Sequence, residues 1–315
     1  MRIVFFGTPE YVVPILSALH KEYREKDGTS PIVAVVTQKP KPVGRKQFLT
    51  YSPVDQWAHK RKIPIYFDSY ELVHDQVEAD FGVLASFAQI IPQSVIDLFP
   101  HGILNIHPSL LPKYRGSSPI QAALALGETT TGATIMKIDS QLDHGPIVSQ
   151  FKEDILPNDT VESLRDRLFS KSAEVLIDLL TPYLKGKIHP QVQDEKEATF
   201  TCEIKKEDGF ISPEIVSSAL KGAGSNKKLK VNFIKDGLLA TDGLSLSRFI
   251  HALTPWPGAW TSVSLAKSQT PKRLKILEAH VEGTDKFVLD VVQLEGKNKV
   301  SWKQFSEGYP DNSLK

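Results

Sequence analysis

Cysteine, methionine and net charge are all scarce in this 315-residue chain, which has one Cys, two Met and a formal charge of +1. A single thiol, Cys202, excludes an internal disulfide and a cysteine-built metal cluster, suits a reducing cytoplasm, and is expected to be buried and free. With so little net charge, attraction to a polyanion has to come from local patches and not from the overall field. The N-terminal apolar run ending at Gly7 is too short for a signal segment or a membrane span and reads as a first strand. Glycine is missing where a dinucleotide site would need it. The turn after that strand is G-T-P-E, with Thr8 and Pro9 in place of further glycines, which argues against NAD. What remains is an ordinary globular composition, 41% hydrophobic and 24% charged, with a length that suggests about two domains.

What is present centres on residues 103–145. Ile103, Leu104 and Ile106 predict a buried strand stopped by Pro108, and strand alternation then puts Asn105 and His107 on one face. A second strand over 133–138 leads back to Asp143. Asn105 offers an amide N–H donor, His107 an imidazole that titrates near neutrality, and Asp143 a carboxylate able to orient it. This set suits acyl transfer without a protein nucleophile: a donor for the developing oxyanion and an acid/base pair, moving an acyl carbon from a carrier to an external amine. No metal ligand is expected.

Around this stretch the chain reads as alternating strands and helices. Strands are predicted over 2–6, 32–37, 63–66 and 81–85, and helices over 11–19 and 119–126. A long amphipathic helix follows over 160–184, capped by Asp159 or Thr160. Phe87, Ile90 and Ile91 offer apolar surface for a flat heterocycle. Between residues 37 and 62, Lys39, Lys41, Arg45, Lys46, Lys60, Arg61 and Lys62 face a single acid, Asp55. Pro40, Pro42 and Gly44 make the first part a loop, projecting from the carboxyl edge of the sheet where it could grip a phosphate backbone. Residues 185–206 are polar and irregular. Short β-like runs at 261–266, 274–280, 287–294 and 300–302 suit a small barrel. The segment 221–235, with five lysines and no acid, reads equally as a surface insertion or a second phosphate contact.

The run N-I-H-P-S-L-L-P-K-Y-R-G-S-S-P-I-Q, with L-D-H-G further on, resembles the signature of the 10-formyltetrahydrofolate-dependent formyltransferases. The resemblance implies an α/β, Rossmann-like, mostly parallel sheet with helices on both faces, followed by a small OB-like β-barrel. It implies catalytic roles for Asn105, His107 and Asp143. It also implies a loop along the folate at Ser109, Leu110, Leu111 and Pro112, and a pterin wall at Phe87, Ile90 and Ile91. His144, where a small residue is usual, is read as solvent-facing, with a second titratable group near the site as the alternative.

G-T-P-E-Y, T-P-W-P-G-A-W and Q-L-E-G-K-N-K-V-S-W-K-Q-F-S-E-G-Y are similar to the methionyl-tRNA formyltransferases. That likeness implies a catalytic domain over 1–185, a linker over 186–206 and a tRNA-binding domain over 207–315. The substrates it implies are 10-formyltetrahydrofolate as formyl donor and initiator methionyl-tRNA as acceptor, handled by a monomer with no membrane partner. Lys39, Lys41, Arg45 and Lys46 would hold the tRNA, although Gln47 and Phe48 stand where that family usually has a lysine pair. A sugar-nucleotide N-formyltransferase using the same donor is the alternative.

Overall fold

The computed structural model describes every residue except 44–46, 223–226, 267, 284–285, 312–313 and 315. Two compact units divide the chain: Met1–Arg115, Gly132–Glu153 and Arg165–Ala198 form the first, and Gly116–Thr131, Asp154–Leu164 and Thr199–Lys315 the second.

The chain opens with β1 (Ile3–Gly7), α1 (Val13–Glu22) and β2 (Ile32–Val36), then the pair β3 (Lys41–Val43) and β4 (Phe48–Thr50). It continues through α2 (Pro53–His59), β5 (Ile65–Tyr66), α3 (Glu71–His74), β6 (Phe81–Ala85), α4 (Gln93–Ile96) and β7 (Ile103–His107). After α5 (Pro119–Leu126) come β8 (Thr130–Lys137), β9 (Ile147–Asp154) and α6 (Val161–Leu184). Seven strands form one sheet in the order β5-β2-β1-β6-β7-β8-β9. The first five of that order are parallel, and β8 runs antiparallel to β7.

Every residue of β1, β6 and β7 is buried, as strands covered on both faces must be. Successive residues serve opposite cores. Ile3, Phe5, Val83, Leu104 and Ile106 pack with Leu16, Trp57 and Leu176 of the helices on one side, while Val4, Phe6, Leu84 and Ile103 pack with Leu72 and Val95 on the other. Burying each such side chain contributes about 1.5–3 kcal/mol. Asn105 and His107 share the parity of Ile103, so they emerge on the second face at the carboxyl end of β7. Thr160 starts α6 as expected: its hydroxyl accepts from Ser163 N–H at 3.3 Å, and Ser163 Oγ accepts in return from Thr160 N–H at 3.0 Å, a reciprocal cap.

The second unit holds α5, α7 (Pro213–Leu220), the short pair β10 (Leu229–Lys230) and β11 (Leu238–Leu239), and α8 (Gly243–Ala252). Four antiparallel strands follow, β12 (Ala259–Val263), β13 (Lys272–Glu282), β14 (Lys286–Leu294) and β15 (Lys299–Ser301), and then α9 (Trp302–Gly308). This meander is the small β domain expected of the C-terminal part. Helix α5 packs on α8.

Four local readings differ from the sequence expectation. Residues 41–43 and 48–50, read as loop from their prolines, pair in antiparallel register with Pro42 opposite Leu49; an edge ribbon tolerates a missing N–H. Strand β9 escaped notice because its S-Q-F-K-E-D run exposes alternate residues and looks polar. Helix α7 in the second unit, like α2, α3, α4, α8 and α9, is not among the helices that the sequence predicts. Cys202 is exposed, because the preceding Thr201 takes the inward position. Among the described residues no helix is long and apolar enough to cross a membrane.

Candidate active site

The structure brings Asn105, His107 and Asp143 together. Asn105 Nδ2 donates to Asp143 Oδ1 at 3.3 Å, and His107 Nδ1 stands 3.5 Å from Asp143 Oδ2. The other ring nitrogen, Nε2, lies 3.0 Å from the carbonyl oxygen of Tyr114. A carbonyl only accepts, so Nε2 carries a proton, and Nδ1 is the nitrogen turned to the carboxylate. Asn105 and His107 are buried, at 8% and 4% exposure, while the Asp143 side chain keeps 13%. The imidazole is therefore gripped from both sides at the end of a strand whose Ile103, Leu104 and Ile106 anchor it in both cores.

Both of the imidazole's neighbours adopt a backbone that side chains rarely take. Tyr114 has φ of 61° and Asp143 φ of 46°; left-handed conformations at non-glycine residues persist only where surrounding contacts over-determine them. Part of that support comes from Gly145. A Cβ there would stand 1.8 Å from the carbonyl oxygen of Lys137, so only glycine lets the L-D-H-G turn press against β8.

The loop 109–112 is knitted to the sheet by one threonine. Thr134 Oγ1 donates to the carbonyl of Ser109 at 2.6 Å and accepts from Leu111 N–H at 3.1 Å and from Gln150 Nε2 at 2.9 Å. Gln150 also donates to the Leu111 carbonyl at 2.7 Å, and Ser109 Oγ donates to the Lys113 carbonyl at 2.6 Å. Ser109 and Leu111 are buried, whereas Leu110 and Pro112 are half-buried. Of the three apolar wall residues, Phe87 and Ile91 pack partly against the core that contains Phe6 and Ile103, Phe87 edge-on to Phe6. Ile90 is not gathered with them; it is 94% exposed.

His144 is not solvent-facing. Its side chain is 27% exposed and bridges two carboxylates, Asp139 at 2.6 Å from Nδ1 and Glu195 at 3.4 Å from Nε2. Glu195 also takes two hydrogen bonds from the buried guanidinium of Arg115, at 2.6 and 2.9 Å. That hydrogen bonding, with the positive charge of Arg115, holds the Glu195 carboxyl below the usual carboxylate range.

Of the basic residues singled out, Lys39 and Lys41 are exposed, and Arg45 and Lys46 lie outside the described residues. Beside the lysines the ribbon shows Phe48 at 68% and Leu49 at 57% exposure. In the segment 221–235, Lys227 is paired with Glu214 and Lys235 lies over the ring of Phe200. Sequence reading missed Tyr114, Arg115, Thr134, Gln150 and Gln193. Tyr114 and Arg115 sit inside the quoted signature, but nothing in a linear pattern tells which of its polar residues turn inward.

The formyl transferase family profile matches residues 1–180. A methionyl-tRNA formyltransferase of Chloroflexus aurantiacus is 35% identical over 296 residues, covering 90% of this chain and 83% of the relative. One of Listeria monocytogenes is 36% identical over 291 residues, covering 90% and 80%. Among solved structures, methionyl-tRNA formyltransferase from Clostridium thermocellum superposes with a TM-score of 0.55 at 18% identity, covering 93% of this chain and 98% of the other. A sugar 3N-formyl transferase determined in the presence of dTDP and 5-N-formyl-THF gives 0.60 at 20%, covering 95% and 99%. Those two likenesses concern the fold. With the profile spanning more than half of its length and relatives above 30% identity along most of it, the chain belongs to the formyl transferase family, among the methionyl-tRNA formyltransferases.

Proposed function

We propose that the chain transfers the formyl group of 10-formyltetrahydrofolate to the α-amino group of methionine esterified to initiator tRNA. The observation that carries the chemistry is the convergence of the Asn105 amide and the His107 imidazole on the Asp143 carboxylate. No protein nucleophile is required. The neutral amine attacks the formyl carbon, and its carbonyl oxygen gathers negative charge. Asn105 has a second amide N–H for that oxygen, and His107 in its doubly protonated form adds an Nδ1–H, held from Asp143 at an ion-pair distance and not a tight hydrogen bond, which is available to it as well. The attacking nitrogen then loses a proton to Asp143, and that same proton is passed on to N10 of the folate as the bond from the formyl carbon to N10 breaks, which restores the carboxylate. Atoms and charge balance: formyl-amide and tetrahydrofolate are the products.

The donor would lie along Ser109, Leu110, Leu111 and Pro112, with the pterin against Phe87 and Ile91. Ile90 would reach it only by leaving its solvent-exposed position. For the acceptor, Lys39 and Lys41 on the exposed ribbon, with Arg45 and Lys46 beyond the described residues, would meet the phosphate backbone, and Phe48 would offer a stacking face. Residues 1–185 would serve as catalytic part and 207–315 as the second tRNA contact, joined through 186–206. We place the reaction in a bacterial-type cytoplasm, with the chain acting as a monomer.

The test is formyl incorporation from 10-formyltetrahydrofolate into charged initiator Met-tRNA, charged elongator Met-tRNA and a panel of amino-sugar nucleotides. Selective labelling of the initiator is expected. Labelling of an amino sugar alone would leave the three site residues in place and overturn the acceptor in favour of a sugar-nucleotide N-formyltransferase.

A further inference from the structure

Behind His107 and Asp143 lies a second layer that joins Arg115 of the signature to Gln193, a residue outside every motif. The stretch between α6 and a short 3-10 turn at Glu195–Glu197 is irregular, yet it is fastened to the site: Gln191 exchanges two backbone hydrogen bonds with Ile147, at 2.7 and 2.8 Å. Two residues on, the side chain of Gln193 is 5% exposed and uses its whole hydrogen-bonding capacity. Its Nε2 donates to the carbonyls of Asp143 at 2.9 Å and Gly145 at 2.8 Å. Its Oε1 accepts from Arg115 Nε at 3.1 Å and Nη2 at 2.8 Å. Guanidinium only donates and carbonyls only accept, so the amide has one possible orientation. Arg115, 2% exposed, also donates from Nη1 and Nη2 to Glu195.

These bonds close a ring. His107 Nδ1 faces Asp143; the Asp143 carbonyl is held by Gln193; Gln193 is held by Arg115. Arg115 follows Tyr114 in the chain, and the Tyr114 carbonyl takes the Nε2–H of His107. The two left-handed residues, Tyr114 and Asp143, are the corners through which the ring grips the imidazole. Such a conformation persists only where its surroundings hold it, and Gln193 is the group that joins the Asp143 corner to the residue adjoining Tyr114. A fully satisfied buried polar network of this kind is rigid, and a shift of about 1 Å at a reacting group costs about 100-fold in rate.

We propose that Gln193, oriented by Arg115, is a positioning residue for the His107–Asp143 pair. It touches no reacting atom and acts through the Asp143 backbone. The inference rests on the catalytic reading of Asn105, His107 and Asp143. Its test is a double-mutant cycle on the full chain, combining Gln193→Glu with Asp143→Asn. Gln193→Glu keeps an acceptor for Arg115 but turns an oxygen toward two carbonyl oxygens. It is expected to lower kcat by about 10- to 100-fold with KM for formyl donor and tRNA unmoved. In the Asp143→Asn background the same change is expected to have little further effect, because the group it positions is already disabled. Equal losses in both backgrounds would overturn the inference and reduce Gln193 to a scaffold residue. If Asp143→Asn itself left kcat intact, the catalytic reading would fall instead. Should Gln193→Glu not fold, Gln193→Asn retains the amide but is one methylene too short to span Arg115 and both carbonyls, and the same cycle applies.

Discussion

His107 donates its Nε2–H to the carbonyl of Tyr114 across 3.0 Å. This contact decides which nitrogen of the ring faces the carboxylate: with Nε2 committed to a backbone acceptor, Nδ1 is left for Asp143.

Replacing either donor should therefore remove stabilisation made only in the transition state. His107→Ala or Asn105→Ala is expected to lower kcat by about 10²- to 10⁴-fold while KM for the formyl donor changes little. Single-turnover transfer and a separate donor titration read the two quantities. A variant with near-normal turnover would remove that residue from the mechanism.

Gly145→Ala tests the close approach behind Asp143. With a Cβ required to stand 1.8 Å from the Lys137 oxygen, the turn has to move away from β8, carrying Asp143 with it. A loss of about 1–3 kcal/mol in unfolding free energy is expected, with a fall in kcat that exceeds the effect of the same substitution at Gly308, where a Cβ meets nothing within 4 Å.

Thr134→Val keeps the shape of the threonine but strips the hydroxyl that ties the loop 109–112 to the sheet. Leu111 N–H would be left buried without that acceptor, at a cost of about 1–3 kcal/mol. Thermal unfolding should record the loss, and KM for the formyl donor should rise, because the loop we assign to it is no longer pinned. An unchanged KM would detach this loop from donor binding.

Lys39 and Lys41 make an ionic-strength prediction. Each changed to Gln should weaken tRNA binding and lower the slope of log affinity against log salt by about 1 where the side chain meets a phosphate. KM for the formyl donor should not move. A salt slope equal to that of the unaltered chain would exclude phosphate contact by that lysine.

Acid stability should report on His251. Burial holds this imidazole below its ordinary value of 6.5, so the unfolded chain binds the proton more readily than the folded one. Below the ordinary value the unfolded state takes up a proton that the folded state resists, and stability falls as pH drops through that range until the lower folded value is reached. His251→Gln should flatten this part of the pH dependence. Urea midpoints at about pH 7.5 and pH 5.5 measure the slope, and an unaltered slope would assign the acid sensitivity elsewhere.

Much of the first unit was legible in order of residues alone. Buried parallel strands write themselves as β-branched and aromatic runs, and a period of two places Asn105 and His107 on one side whatever the rest of the chain does. The Thr160 cap was legible for the same reason, since its partner is three residues away. Strand β9 was not, because alternate residues from Gln150 to Asp154 face water and dilute the apolar signal. Nor were the exposure of Cys202 and the bridging role of His144, which depend on neighbours distant in sequence.

The sequence by itself determined the periodicity, the residue types of the groups we propose to react and the glycine behind Asp143, all of which follow from local stereochemistry and residue type. Only the tertiary structure decided which nitrogen of His107 faces the carboxylate, how Thr134 and Gln150 pin the loop, and that Gln193 from an irregular stretch closes the ring with Arg115. Those are hydrogen bonds between residues as many as 78 positions apart, and a directional bond of that span exists only once the backbone has brought both ends within about 3 Å.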